Sequence, residues 1–239
     1  MSRVGTIRKR AALALALGRT EDQVACRLEE ALWEAGPNHL TDFADALEFE
    51  GKPKVSEDKK KKWEALRRFR EEMTKFLEKK DAAFIGGVAV RSYGGRTTPT
   101  IDYDVLVAPK LLKSMTAFLE GQSGSLKGTV ENTYMFHLKE PDLRLDVRVA
   151  RSPLDEEALS TAKKSTFEGR KLGIVNPRAL AAMKVKAYSE RKELPPGAQV
   201  RADVRGLIDV GATTDAEIRK LLKKHRPDLL SELDEILKD

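Results

Sequence analysis

Two aspartates, Asp102 and Asp104, interrupt the apolar run Ile101-Asp102-Tyr103-Asp104-Val105-Leu106-Val107, whose composition suits a short β-strand. Strand side chains alternate between faces, so the two carboxylates point one way while Ile101, Tyr103 and Val105 point the other. Like charges held that close repel each other unless a cation lies between them, and oxygen-only ligands select Mg²⁺ or Mn²⁺ over zinc. The segment Leu143-Arg144-Leu145-Asp146-Val147-Arg148-Val149 follows the same rule, with its apolar members toward a core and Arg144, Asp146 and Arg148 opposite. Asp146 is thus a third carboxylate. Set beside the first two it would give a site for two divalent metals, one activating an attacking hydroxyl and the other stabilising a leaving pyrophosphate.

Upstream lies the pair Gly86-Gly87, between the apolar segment Ala82 to Ile85 and a helical turn running through Val90. Glycine lets backbone amides approach a phosphate closely, although two adjacent glycines by themselves more often make an ordinary turn. The Gly94-Gly95 loop, Arg96 and Thr100 separate this pair from the Asp-x-Asp segment.

The elements that must position these residues can be read from patterning. Trp63, Leu66, Phe69, Met73, Phe76 and Leu77 recur at three- and four-residue spacing and predict a helix from Ser56 to Lys80. The lysine run Lys59 to Lys62 reads as its solvated face. Strands are expected at Ala82–Ile85 and Ile101–Val107, then a helix over Leu111–Leu119 and a Gly/Ser-rich loop. Tyr134–Leu138 and Leu143–Val149 read as a hairpin turning at Lys139-Glu140-Pro141-Asp142. An extended segment leads through Ile174-Val175 to Asn176-Pro177, where Pro177 suits the first turn of a helix. Helices follow to the end, with a capping box at Thr214-x-x-Glu217 and a last helix from Pro227 that carries Leu229, Leu230, Leu233, Ile236 and Leu237 on one face. Toward the N-terminus, Thr20-Glu21-Asp22-Gln23 reads as another capping box for a helix to Ala35. A short helix over Thr41–Phe49 and the linker Gly51-Lys52-Pro53-Lys54 come next.

The whole chain has 239 residues, 41% hydrophobic and 34% charged, with a mean hydropathy of −0.46, which describes a soluble globular protein with no bilayer-spanning stretch. The Ala11–Leu17 run after Arg8, Lys9 and Arg10 lacks an Ala-x-Ala cleavage site and reads as a packed helix rather than a signal peptide. The single cysteine, Cys26, lies in a helical pattern and fits a buried thiol in a reducing cytoplasm. A net charge of +6 suits a polyanionic partner such as RNA or a nucleotide. His39, His137 and His225 have no partners at zinc-ligand spacing, and Ser92 and Ser165 lack the context of a serine nucleophile. His137 is expected to be packed or hydrogen-bonded, and His225 to complement a helix C-terminus.

Order along the chain separates these motifs from their ordinary readings: strand, glycine pair, loop, Asp-x-Asp strand, then a later strand with one more aspartate. This arrangement resembles the polymerase-beta-like nucleotidyltransferase superfamily. Phe84-Ile85-Gly86-Gly87-Val88-Ala89 followed by Arg96-Thr97-Thr98-Pro99-Thr100-Ile101-Asp102-Tyr103-Asp104-Val105 is similar to the signature of the AbiEii-like and MenT-like toxin nucleotidyltransferases. The resemblance continues through Gly169–Val175, Asn176-Pro177, Met183-Lys184-Val185-Lys186-Ala187 and Arg191, covering about residues 82 to 210. It implies that Asp102 and Asp104 bind metal, that Asp146 completes the site and helps deprotonate the acceptor, and that Gly86 and Gly87 hold the triphosphate. It makes Arg96 and Lys184 candidates to neutralise phosphate charge; a solvated helix residue is the other reading of Lys184. Two departures bear on the subfamily: the interval from Gly87 to Asp102 is slightly long, and Arg201-Ala202-Asp203-Val204-Arg205-Gly206 has glycine where many relatives carry a second acidic residue.

The expected fold is α+β: a small mixed nucleotidyltransferase sheet with N-terminal helices (1–80), a catalytic core (81–175) and a C-terminal helical bundle (176–239). The expected reaction moves a nucleoside monophosphate from an NTP, ATP among the candidates, to a hydroxyl with Mg²⁺ or Mn²⁺ bound. The acceptor stays open among RNA such as a tRNA 3′ end in a toxin–antitoxin setting, a protein side chain, and a small molecule of the aminoglycoside kind. A non-catalytic RNA- or protein-binding module of the same fold is the other reading, and the N-terminal helices would suit an antitoxin or a second subunit under either.

Overall fold

The computed structural model describes residues 57–96, 102–140, 142–167 and 170–238. The expectations for Ala11–Leu17, the Thr20 capping box and its helix, Cys26, His39, the Thr41–Phe49 helix and the Gly51–Lys54 linker lie outside the described residues, as do those for residues 97–101 with Thr100 and Ile101.

Helix α1 covers Glu57–Leu77, and its apolar spacing buries Phe69, Met73 and Leu77. Strand β1 is Ala82–Phe84 and is followed at once by helix α2, Gly86–Ser92. Then come β2 (Tyr103–Val107), a 3₁₀ turn at Pro109–Leu111 and α3 (Leu112–Gly121). Phe118 of α3 stacks on Phe76 of α1 with ring centroids 4.5 Å apart. Strands β3 (Gly124–Val130), β4 (Thr133–Leu138) and β5 (Leu143–Val149) follow, then α4 (Pro153–Ser160), β6 (Lys163–Phe167) and β7 (Arg170–Ile174). The chain closes with α5 (Pro177–Arg191), α6 (Pro195–Asp209), α7 (Asp215–His225), a 3₁₀ turn at Pro227–Leu229 and α8 (Leu230–Leu237). Among the described residues no helix is long and apolar enough to cross a membrane.

The strands form one seven-stranded sheet in the order β3-β4-β5-β2-β1-β7-β6. Strand β2 runs antiparallel to β1 and parallel to β5, while β1 runs parallel to β7, so the sheet is mixed and the fold α+β as expected. Alternation splits each strand between two layers. Ala83 and Leu106, facing partners on β1 and β2, belong to a core shared with Leu180, Val185, Val204, Leu207, Leu222 and Leu233 of helices α5 to α8. Residues of the opposite parity, Phe84, Tyr103, Val105, Leu145 and Val147, are equally buried, as are Met73, Met115 and Leu119 of the helices. Sheet and C-terminal helices therefore share one core: residues Phe69–Asp239 form one compact unit.

Local signals hold at the helix starts. Asn176 caps α5 by accepting from Ala179 N–H at 3.0 Å, with Pro177 in the first turn. Thr214 and Glu217 form the expected reciprocal capping box on α7. Pro227 opens a 3₁₀ turn and the α-helix proper begins at Leu230. The Gly/Ser-rich segment expected as a loop after α3 is instead the edge strand β3, paired antiparallel with β4 through a register shift between Leu126 and Gly128. An edge strand has one ladder to satisfy, so glycines that would weaken a central strand are tolerated there. Patterning also missed β6 and α4, although Ser152 and Pro153 make a recognisable start for α4.

Helix α4 is tied to the sheet by charge. Fully buried Asp155 accepts from Arg148 of β5 at 2.9 Å (Nε) and 3.2 Å (Nη2), while its own N–H donates to Ser152 Oγ at 3.1 Å. Removing the carboxylate strands a mostly covered guanidinium. Asp155→Ala is expected to lower unfolding free energy in urea by about 2–4 kcal/mol, and Asp155→Asn by less because it keeps one acceptor.

Candidate active site

The glycine pair and the first carboxylates are built into each other. Ile85 N–H donates to the Asp104 carbonyl at 2.9 Å, which pins the end of β1 to β2. Gly86 then turns with φ +62°, and a Cβ there would stand 1.8 Å from Oδ2 of Asp104. Only glycine satisfies both the left-handed backbone and that approach. Helix α2 starts on this turn, Gly87 is buried, and Ile85 at the N-cap contributes no side-chain acceptor. The first-turn amides of α2 thus begin beside the Asp104 carboxylate without a capping side chain, the arrangement a phosphate can use.

Register brings in the third carboxylate. Asp104 and Asp146 are direct Cα partners across the parallel pair β2–β5 and lie on the same face. Asp102 stands just before β2 rather than within it, because the ladder begins at Tyr103. Burial is the main cause that holds the Asp104 carboxyl above the usual carboxylate range; Lys184 draws it down, Asp146 and Asp102 push it up, and Arg144 draws it down. The Asp102 carboxyl is also raised, first by burial, with Arg144 opposing and Asp146 adding. Asp146 meets a cation from its own strand: Arg144 donates from Nε to Oδ1 at 3.0 Å and from Nη2 to Oδ2 at 2.8 Å. That bond, and the nearby charges of Asp146, Asp102 and Asp104, raise the guanidinium further above its ordinary value.

Arg96 and Lys184, expected as phosphate ligands, converge on a carboxylate of the protein. Asp203 of α6 is 1% exposed and accepts from Arg96 Nε at 2.9 Å and Nη2 at 3.0 Å, and from Gln199 Nε2 at 3.0 Å. Lys184 Nζ reaches it at 2.8 Å. Lys184 is thus no solvated helix residue: it is paired with Asp203, and its charge also acts on the Asp104 carboxyl. Sequence reasoning missed Asp203 as an organising residue, and its only local sign is Gln199 one helical turn before it. Gly206 lies one turn after it. A Cβ on Gly206 would lie 2.0 Å from the Gly95 carbonyl oxygen, so the backbones of α6 and of the loop leading into Arg96 touch there. An acidic side chain has no room at that point.

Both described histidines are paired with carboxylates. His137 pairs with Asp142 at 2.9 Å, and His225, in the last turn of α7, pairs with Glu157 at 2.7 Å. Ser92 donates to the Ala89 carbonyl at 2.7 Å, a local helix contact.

Among the described residues no group of three or more His, Cys, Asp or Glu side chains is gathered as a ready metal cage, and both oxygens of Asp146 go to Arg144. The donor chemistry still suits a hard divalent cation. Asp102 and Asp104 are carboxylates whose charged forms are disfavoured by burial and by Asp146, a cost that a cation would relieve.

Those raised carboxyls set a pH dependence. As pH climbs past 3.8, the ordinary value, the unfolded chain ionises Asp104 before the folded chain does, so stability present at acid pH is lost as pH rises through the folded pKa. Asp104→Asn is therefore expected to raise Tm by a few degrees at pH 7 in the presence of chelator and to change it little below about pH 3.5. Thermal melts across that range check it; a lower Tm at pH 7 contradicts it.

No protein-family model matches the chain, and no curated protein sequence matches it. Solved structures are similar to it. The antibiotic-resistance factor ANT(2″)-Ia in solution is 15% identical with a TM-score of 0.47, over 63% of this chain and 84% of that one. ANT(2″)-Ia in complex with adenylyl-2″-tobramycin is 17% identical with a TM-score of 0.43, over 62% and 87%. A Megavirus polyadenylate synthase is 12% identical with a TM-score of 0.46, over 63% of this chain and 32% of that one.

Proposed function

We propose that the chain is a metal-dependent nucleotidyltransferase that moves a nucleoside monophosphate from an NTP to a hydroxyl of RNA, such as a tRNA 3′ end, as the toxin of a toxin–antitoxin system. The observation that carries the chemistry is the register pairing of Asp104 with Asp146 beside a Gly86 that no side chain could replace. The basic charge of the chain, +6, favours the polyanionic acceptor.

Asp102, Asp104 and Asp146 would hold Mg²⁺ or Mn²⁺, which when bound would supply positive charge to the α-phosphate and the acceptor hydroxyl. The amides around Gly86 and Gly87, at the start of α2, hold the triphosphate. Lys184, paired with Asp203, adds positive charge that acts on Asp104. Arg96 acts through Asp203, which it and Gln199 hold in place for Lys184. The acceptor oxygen forms its bond to the α-phosphorus, the bond from that phosphorus to the bridging oxygen breaks, and pyrophosphate leaves with the electron pair. Asp146, on the edge of the acidic group, receives the acceptor's proton.

Incubation of the protein with each α-labelled NTP, Mg²⁺ and total RNA or lysate tests the reading. Label is expected in RNA, with a loss of roughly a hundredfold or more for Asp104→Ala. Label in protein or in a small molecule would keep the chemistry and replace the acceptor. Label in none of the three, with wild type and Asp104→Ala alike, overturns the reading.

A further inference from the structure

We propose that Arg144 is an exchangeable counter-cation for Asp146, which a divalent cation must displace before all three aspartates can act together. The inference rests on the metal site proposed above and concerns only how this chain's own residues prepare it.

Arg144 and Asp146 are two residues apart on β5, so their side chains rise from the same face of the sheet. The guanidinium fork takes both carboxylate oxygens, at 3.0 and 2.8 Å. Those oxygens are what a hard cation would need. Arg144 Nη2 also lies 3.7 Å from Sδ of Met135, the residue directly across from Asp146 on β4, so the fork lies over the neighbouring strand. The fork is also drawn electrostatically to Asp102 and Asp104, so it serves the acidic group as a whole.

Two features make this pairing replaceable rather than permanent. The Arg144 side chain is 50% exposed and Asp146 15%, whereas the other paired arginine of the strand, Arg148, is 20% exposed and its Asp155 0%. A half-exposed guanidinium keeps most of its hydration when it swings away, so its release costs little. A divalent ion brings twice the charge to the same oxygens. The same strand thus carries one arginine–aspartate pair locked under α4 and one open at the acidic end. With Arg144 in place, Asp146 is neutralised while no nucleotide is bound. With Arg144 displaced, Asp146 is available to ligand and proton alike.

Titration of the full-length protein with Mn²⁺ alone, read by the electron spin resonance of unbound Mn²⁺, tests the exchange without any assay of activity. Removing a competitor tightens binding, whereas removing a merely structural residue weakens it. Arg144→Gln is expected to tighten Mn²⁺ binding roughly three- to tenfold. Arg144→Lys, whose point charge cannot take both oxygens, is expected to fall between wild type and Arg144→Gln. The gain should vanish when Asp146→Asn is added to Arg144→Gln. Equal or weaker Mn²⁺ binding by Arg144→Gln and Arg144→Lys, with wild type still binding, overturns the exchange and leaves the metal site standing. No binding by wild type or variants overturns both.

Discussion

Asp104 and Asp146 are partners across two neighbouring strands, Asp102 stands just before the first of them, and their like charges oppose one another. Asp104 lies deepest, against Gly86, and its nearest relief is Lys184 on α5. Asp146, farther out, is relieved by Arg144 on its own strand. Lys184 is in turn steadied by Asp203, which also takes Arg96 and Gln199. Charged partners thus run from Arg144 on β5 through Asp146 and Asp104 to Lys184 and Asp203 on the helices. A buried carboxylate without such partners would sooner take up a proton than stay charged.

Charges can stand this close only because backbone comes close first. At Gly86 the absent Cβ makes room for the Asp104 carboxylate itself, and at Gly206 it makes room for the Gly95 carbonyl. The second contact seats the loop that leads into Arg96 against α6, from which Asp203 projects. Packing and electrostatics are one construction here: the shared core of sheet and C-terminal helices holds α5 and α6 where Lys184 pairs with Asp203. The helices after β7 therefore supply Lys184 and the Asp203 that holds it as well as covering the sheet.

Where local chemistry dictates structure, the chain was legible. The apolar spacing of α1, the Asn176-Pro177 start of α5 and the Thr214 capping box all appear as read, since each depends on residues within a turn or two of one another. The hairpin of β4 and β5 was legible for the same reason. Strand β3 was not, because Gly124 and Gly128 carry the composition of a loop and only the ladder with β4 makes the segment extended. Strand β6, Lys163–Phe167, offers no clean apolar alternation and is held by its pairing with β7.

The amino-acid order alone determined that Asp104 alternates with Tyr103 and Val105, that Asp146 faces away from its strand's apolar side, and that a glycine pair precedes them. Those are matters of parity and spacing, which a strand or turn enforces locally. Tertiary structure decided which strand lies beside which. The parallel pairing of β2 with β5 makes Asp104 and Asp146 direct partners, and no local pattern specifies that choice. It likewise decided that Arg96 and Lys184 meet at Asp203, in the first case across 107 positions of chain. A side chain's face can be read from its neighbours in sequence, but its charge partner depends on which distant backbone the core brings within hydrogen-bonding distance.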